Sequence, residues 1–145
     1  MDKLIYQKLL IELNGKKNRK GNNMKKVYVA GAMSSNNILG VLRNISVGVH
    51  YGAEVLARGF APFVPHFDIA FTLQKGWDGF DVPLQTYYDY TMAWLEASDI
   101  VLVCPNWEKS IGTINEIKRA EELGKPVYYS LEDLLKHESK VSEVV

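Results

Sequence analysis

Asp99-Ile100-Val101-Leu102-Val103-Cys104 sets five apolar residues in a row behind one acidic residue. A strand buried on both faces reads as such an unbroken, β-branched run, whereas a half-exposed strand alternates. Upstream, Leu84 to Ser98 repeats Tyr88, Met92 and Leu95 at helical spacing. Downstream, Pro105 to Gly112 reads as a loop and Thr113 to Leu123 as a helix closed by Gly124. The same alternation extends in both directions. Lys26-Val27-Tyr28-Val29-Ala30-Gly31 is a second apolar strand. Leu39, Leu42, Val49, Ala53 and Leu56 stripe a helix ended by Arg58-Gly59, although Gly40, Gly48 and Gly52 weaken it by up to about 1 kcal/mol each. Ala61-Pro62-Phe63-Val64-Pro65 and Pro126-Val127-Tyr128-Tyr129 complete the strands. Pro65-His66 opens a loop that runs through Gly76, Trp77, Asp78, Gly79 and Asp81, and Ser130 with Asp133 forms a capping box for a last short helix. The pattern predicts an α/β domain: a Rossmann- or flavodoxin-like three-layer sandwich with a parallel sheet of four to five strands.

Composition narrows the function classes. The 145 residues carry 17 basic and 17 acidic side chains and a single Cys. A balanced charge argues against a general nucleic-acid binder, which carries a basic excess. One Cys supports neither a disulfide framework nor a Cys-rich zinc site. No apolar run reaches the roughly 18 to 20 residues that span a bilayer, and no signal-peptide order opens the chain. The expectation is a soluble, cytoplasmic protein.

Charge is unevenly spread. Residues 1–26 hold eight Lys and Arg against Asp2 and Glu12, leaving the remainder acidic. Ile5, Leu9, Leu10 and Leu13 fall at helical spacing before the Asn14-Gly15 stop signal, and 16–23 has no apolar residue. The domains expected are a basic extension (1–23, short helix plus linker), a body (24–137) and a tail (138–145). The extension either contacts anionic partners or packs on the body or on a neighbouring subunit.

In parallel sheets of this type the ligand lies beyond the carboxyl ends of the strands, where strand order reverses. Three loops leave those ends: Gly31 to Asn37, His66 to Asp81, and Pro105 to Gly112. The third leads into Ser110-Ile111-Gly112-Thr113-Ile114-Asn115-Glu116. Gly112 permits a tight turn, Ser110 offers a hydroxyl, and a helix begins with free N–H groups, a combination suited to a phosphate or sugar hydroxyl. Glu116 falls in the first turn of that helix, where the dipole favours the carboxylate. The competing reading is a capping box, T-x-x-E, formed by Thr113 and Glu116.

Several of these segments together resemble the nucleoside 2-deoxyribosyltransferase superfamily, including its 2'-deoxynucleoside 5'-phosphate N-hydrolases and small uncharacterised members. They are Tyr28-Val29-Ala30-Gly31, Trp94-Leu95, Ala97-Ser98-Asp99, the S-x-G-x-x-x-E of Ser110 to Glu116, and Gly124-Lys125-Pro126-Val127. The resemblance covers roughly residues 25–130. It implies cleavage or transfer at an N-glycosidic bond, preferentially of a nucleoside 5'-monophosphate and by hydrolysis, with neither cofactor nor metal. It also implies that Glu116 attacks C1' of the sugar, that Tyr28 orients Glu116, and that Ser110 contacts phosphate. Gly31, Ala32, Met33 and Ser34 would then line the sugar and phosphate, with Gly112 and Thr113 beside them. The resemblance further implies a homo-oligomer whose subunits complete one another's sites. The aromatic residues spread around Leu84 to Ser98 (Tyr87, Tyr88, Tyr90, Trp94) independently fit an interface.

There are departures from the family pattern. Its acid for the leaving base stands eight positions before Asp99, where this chain has Thr91. Asp89 substitutes only if that helix is shifted or irregular. Ala32 and Ser34 stand where the hydrolases have serine and arginine. These gaps leave open a nucleotide-binding or sequestering module without turnover. His66 and Asp68 lie at the edge of the site and could contact the base; Trp77, Phe80, Tyr87 and Tyr88 could stack on it. Cys104 reads as a buried apolar residue.

Overall fold

The computed structural model describes residues 2–15, 23–75 and 82–139. Four strands form one parallel sheet: β1 (Lys26–Ala30), β2 (Ala61–Phe63), β3 (Ile100–Val103) and β4 (Val127–Tyr128), in the order β2-β1-β3-β4. Helices alternate with them: α1 (Lys3–Gly15), α2 (Ile38–Ala57), α3 (Ile69–Lys75), α4 (Leu84–Ala97), α5 (Ile111–Glu122) and α6 (Leu131–Glu138). The result is the Rossmann- or flavodoxin-like sandwich that the alternation predicts. Among the described residues, no helix is long and apolar enough to cross a membrane.

Two-sided burial explains the unbroken apolar runs. Tyr28, Ala30, Val101 and Val103 point to one face, where Leu95 of α4 and Ile117 and Ala120 of α5 cover them. Val27, Ile100 and Leu102 point to the other, against Val55 of α2 and Leu134 of α6. The period of two within β1 and β3 thus splits one hydrophobic run between two cores. β1 feeds β2 on one side while β3 lies on its other side, so the switch in strand order falls between β1 and β3.

The region after β2 departs from expectation. Where a loop is expected from Pro65 onward, Pro65–Asp68 forms a 3-10 turn that continues directly into α3. Only residues 76–81 of that stretch, including Trp77, Asp78, Phe80 and Asp81, lie outside the described residues. α3 packs on α4: Phe71 meets Tyr90 edge-on at 5.9 Å and the Thr72 and Tyr87 hydroxyls lie 3.1 Å apart. Part of the aromatic surface of α4 is therefore covered within the chain. At the other end, every described side chain from Asp2 to Leu10 is exposed, including Ile5, Leu9 and Leu10.

Candidate functional site

β1 carries Tyr28 into the core, fully buried and stacked on Phe63 of β2 with ring centroids 5.7 Å apart. Its hydroxyl is enclosed yet has no hydrogen-bond partner. Facing it from α5 is Glu116, half-buried as a residue, whose Oε2 is likewise enclosed and unpartnered. The phenol lies close enough to bias Glu116 towards ionisation, though no hydrogen bond of ordinary geometry joins the two. Burial dominates: it pushes the Glu116 carboxyl from 4.5 to about 8, with the charge of Asp68 adding to the rise. Burial and then the Glu116 charge raise Tyr28 well above its ordinary value. Cys104, just past β3, is pushed up to about 12 by the same two causes, so it is an inert thiol at neutral pH.

The start of α5 corrects two expectations. Ser110 is its N-cap: Oγ accepts from the Thr113 N–H at 3.2 Å and from the Thr113 hydroxyl at 2.8 Å. Thr113 is thus the third helical residue, 1% exposed, and the T-x-x-E capping box does not form. Thr113 holds Ser110 and has no surface to offer a substrate. Glu116, one turn further in, lies beyond the reach of the helix terminus, and burial rather than the dipole sets its protonation. The left-handed residue of the preceding loop is Asn106 (φ 66°), so Gly112 is not the turn-making glycine. A Cβ at Gly112 would meet open space, while the Thr113 and Ile114 N–H groups are taken by the Ser110 hydroxyl and carbonyl.

The loop after β1 is held from behind. His66, 3% exposed, places Nε2 at 3.2 Å from the Ala32 carbonyl. Two glycines make room for its ring: a Cβ on Gly48 would sit 2.3 Å from Nδ1, and one on Gly31 3.3 Å from Cε1. Burial holds the imidazole below its ordinary pKa, hence neutral. So His66 shapes the 31–34 loop and is not at the surface to meet a base. Asn44 of α2 donates to the Met33 and Ser34 carbonyls, both at 3.2 Å. Gly31, Ala32 and Met33 are half-buried and Ser34 exposed at the mouth.

A family model described as "Domain of unknown function (DUF4406)" matches residues 25–129. The chain belongs to the DUF4406 family. No curated protein is similar to it by sequence. The DUF4406 span runs from the residue before β1 to the residue after β4. It therefore contains Tyr28, the 31–34 loop, Asp68 and Glu116, and excludes α1 and α6.

α4 of this DUF4406 domain is regular, and that decides between Asp89 and Thr91. Thr91 is buried beside the Tyr28 hydroxyl, with its own hydroxyl donating to the Tyr88 carbonyl at 3.1 Å. Asp89 is exposed and accepts a hydrogen bond from Gln85 at 2.9 Å. The irregularity that Asp89 needs to reach the site is absent. The carboxylate that does bear on Glu116 is Asp68, from the turn after β2. Asn44 gave no sequence signal, since a polar residue on a helix is ordinarily solvated. Among the described residues, no group of three or more His, Cys, Asp and Glu is placed to hold a metal ion.

Proposed function

We propose that the protein cleaves or transfers at the N-glycosidic bond of a deoxynucleoside, preferentially its 5'-monophosphate, with Glu116 as nucleophile. The observation that carries this reading is the pair of enclosed, unpartnered oxygens, Tyr28 Oη and Glu116 Oε2, at the strand-order switch. Buried polar atoms are almost always hydrogen-bonded, so two orphans side by side point to a missing ligand. A sugar supplies both needs, with a hydroxyl for the phenol and an electron-poor C1' for the carboxylate. The resemblance of Tyr28 and of Ser110 to Glu116 to the nucleoside 2-deoxyribosyltransferase superfamily supports the same assignment. In the first step a Glu116 oxygen bonds to C1' while the C1'–N bond breaks and its electron pair leaves with the base. Water, or an acceptor base, then displaces Glu116 from C1' and restores it. The positive end of α5, with a neutral hydroxyl rather than a carboxylate at Ser110, suits a 5'-phosphate.

One observation favours a second reading, a nucleotide-binding module without turnover. With a pKa of about 8, Glu116 is largely protonated at neutral pH in the free protein, and a protonated carboxyl is no nucleophile. A panel of deoxynucleosides and their monophosphates separates the two. Release of free base supports the enzyme; thermal stabilisation without product supports the module.

Self-association also belongs to the proposal. Tyr88 and Trp94 of α4 remain about half exposed after α3 has covered Tyr90, at 52% and 48%. Light scattering at micromolar concentration should give at least twice the 16.4 kDa chain mass; a monomer with full activity contradicts it.

A further inference from the structure

α2 carries a stripe at every fourth residue, Gly40, Asn44, Gly48 and Gly52. A Cβ on Gly40 would collide with the Ser35 side chain, one on Gly48 with the His66 ring and one on Gly52 with Val64. The three glycines thus let α2 lie close against the loop after β1 and the segment that brings in His66, which offsets the helix propensity each one costs. Asn44 is the polar member of the stripe. Its Nδ2 donates to two successive carbonyls of that loop, Met33 and Ser34, at 3.2 Å each. The carbonyl before them, that of Ala32, faces His66 Nε2 at 3.2 Å. A carbonyl can only accept, so the ring proton sits on Nε2, and Nδ1 is left enclosed and bare.

Three consecutive peptide planes are held from one side. In a trans peptide the next N–H points opposite to the C=O, and none of these bonds is cis. With the 32, 33 and 34 carbonyls drawn towards α2 and the turn after β2, the N–H groups of Met33, Ser34 and Ser35 face away from them. β2 and β3 flank β1, so that is the side on which β3 and α5 lie. Among the described residues none of the three N–H groups has an acceptor. Successive N–H groups aimed one way form a seat for an anion. The loop from Gly31 to Asn37 holds no Lys or Arg, so its attraction for an anion comes from N–H and hydroxyl donors. α5 lends its positive end, but its Thr113 and Ile114 N–H groups are already taken by Ser110. We propose that Asn44 is a positioning residue: with His66 it turns the 32–34 carbonyls inward, so that the Met33, Ser34 and Ser35 N–H groups cradle the 5'-phosphate dianion. This inference rests on the monophosphate preference proposed above, and its test is built so that the two fail differently.

The first arm titrates the wild-type protein with inorganic phosphate at constant ionic strength and follows backbone amides by NMR. Phosphate should shift the Met33, Ser34 and Ser35 amide protons downfield and saturably, and chloride should not. Largest shifts at Ile111 and Gly112 instead, or no response from 33–35, would overturn the proposal. Asn44→Leu then removes both hydrogen bonds at similar volume and with a better helix former, and a thermal melt verifies that it folds. In this variant the phosphate affinity read from the same amides should fall by about tenfold or more. An unchanged affinity takes the positioning role from Asn44.

The second arm is kinetic and compares wild type with Asn44→Leu on a deoxynucleoside and on its 5'-monophosphate. The preference for the monophosphate, taken as the ratio of the two kcat/KM values, should fall about 10- to 100-fold, through KM rather than kcat. Equal losses on both substrates would mean a general structural role and overturn the proposal. If wild type released no base from either substrate, the glycosidic reading would fall, while the phosphate titration would still decide the cradle and the part of Asn44 in it. Base release by a wild type whose 33–35 amides ignore phosphate gives the reverse: the glycosidic reading stands and this inference falls.

Discussion

Replacing Glu116 by Gln should make the protein more stable at alkaline pH, against the usual cost of changing a buried residue. Gln keeps the shape of the side chain and removes its charge. In the folded protein burial lifts the Glu116 carboxyl from 4.5 to about 8. For an acid raised on folding, the stabilising share is fully present below pH 4.5 and is lost as pH rises through about 8. Each pH interval of one is worth about 1.4 kcal/mol, so the span between 4.5 and about 8 sets an upper bound of about 5 kcal/mol. Water entry and local relaxation reduce that, leaving roughly 2 to 5 kcal/mol in favour of Glu116→Gln near pH 9. In a chain of this length that is roughly 5 to 15 °C in Tm. At pH 5, close to the unfolded value of 4.5, the linkage amounts to less than about 1 kcal/mol, so the two proteins should nearly agree. His66 titrates alike in both proteins and its contribution largely cancels, whereas Cys104, raised in part by the Glu116 charge, loses that part of its rise in Glu116→Gln, which adds to the variant's advantage at pH 9. The assay is urea denaturation or a thermal melt at pH 5, 7 and 9. Parallel curves for the two proteins would refute the claim that Glu116 carries a desolvated proton.

Four further outcomes follow from the geometry. Tyr28→Phe removes a buried hydroxyl that has no partner, so stability should hold or rise by up to about 1 kcal/mol while base release falls at least tenfold; a clear loss of stability contradicts the orphaned hydroxyl. Gly48→Ala drives a Cβ to 2.3 Å from His66 Nδ1 and should cost about 1 to 3 kcal/mol by denaturant titration, where an unaffected midpoint would show that the ring moves freely. Ser110→Ala removes the cap of α5 and should cost about 0.5 to 2 kcal/mol before any substrate is added; no change would remove Ser110 from the cap. Cys104, with its thiol near 12, should resist iodoacetamide at pH 8 until the protein is unfolded, and rapid native labelling counts against its burial.

The strands were legible because both sheet faces are covered, which turns Val27 to Ala30 and Ile100 to Val103 into unbroken apolar runs. The strand order then places the loops after β1 and β3 on either side of one site. Glu116 stood out through the resemblance that its spacing from Ser110 carries, since the spacing alone equally fits a capping box. The start of α5 was misread because Gly112 and the Thr113–Glu116 spacing each carry a helix-start signal, and the Ser110 hydroxyl outcompetes them. The turn and short helix after β2 were hidden by Pro65 and by an α3 that buries none of its residues. Gly31 and Gly48 read as a loop glycine and a helix weakness; together they are the two walls around an imidazole. Asn44 reaches the site only through the tertiary fold, which no local spacing encodes, whereas the loop that leaves β2 already put Asp68 at its edge. Asp89 shows the converse, since a carboxylate two residues before the required position is exposed on a regular helix.

Free-base release from deoxynucleoside monophosphates, measured side by side for wild type and Glu116→Gln with intact-mass spectrometry of the protein, tests the central claim most directly. The account predicts base release by wild type and a transient mass increase of one deoxyribose phosphate. Both should be reduced by several orders of magnitude or lost in Glu116→Gln. Base release that persists undiminished in Glu116→Gln, or none from wild type with any nucleoside or nucleotide, contradicts it.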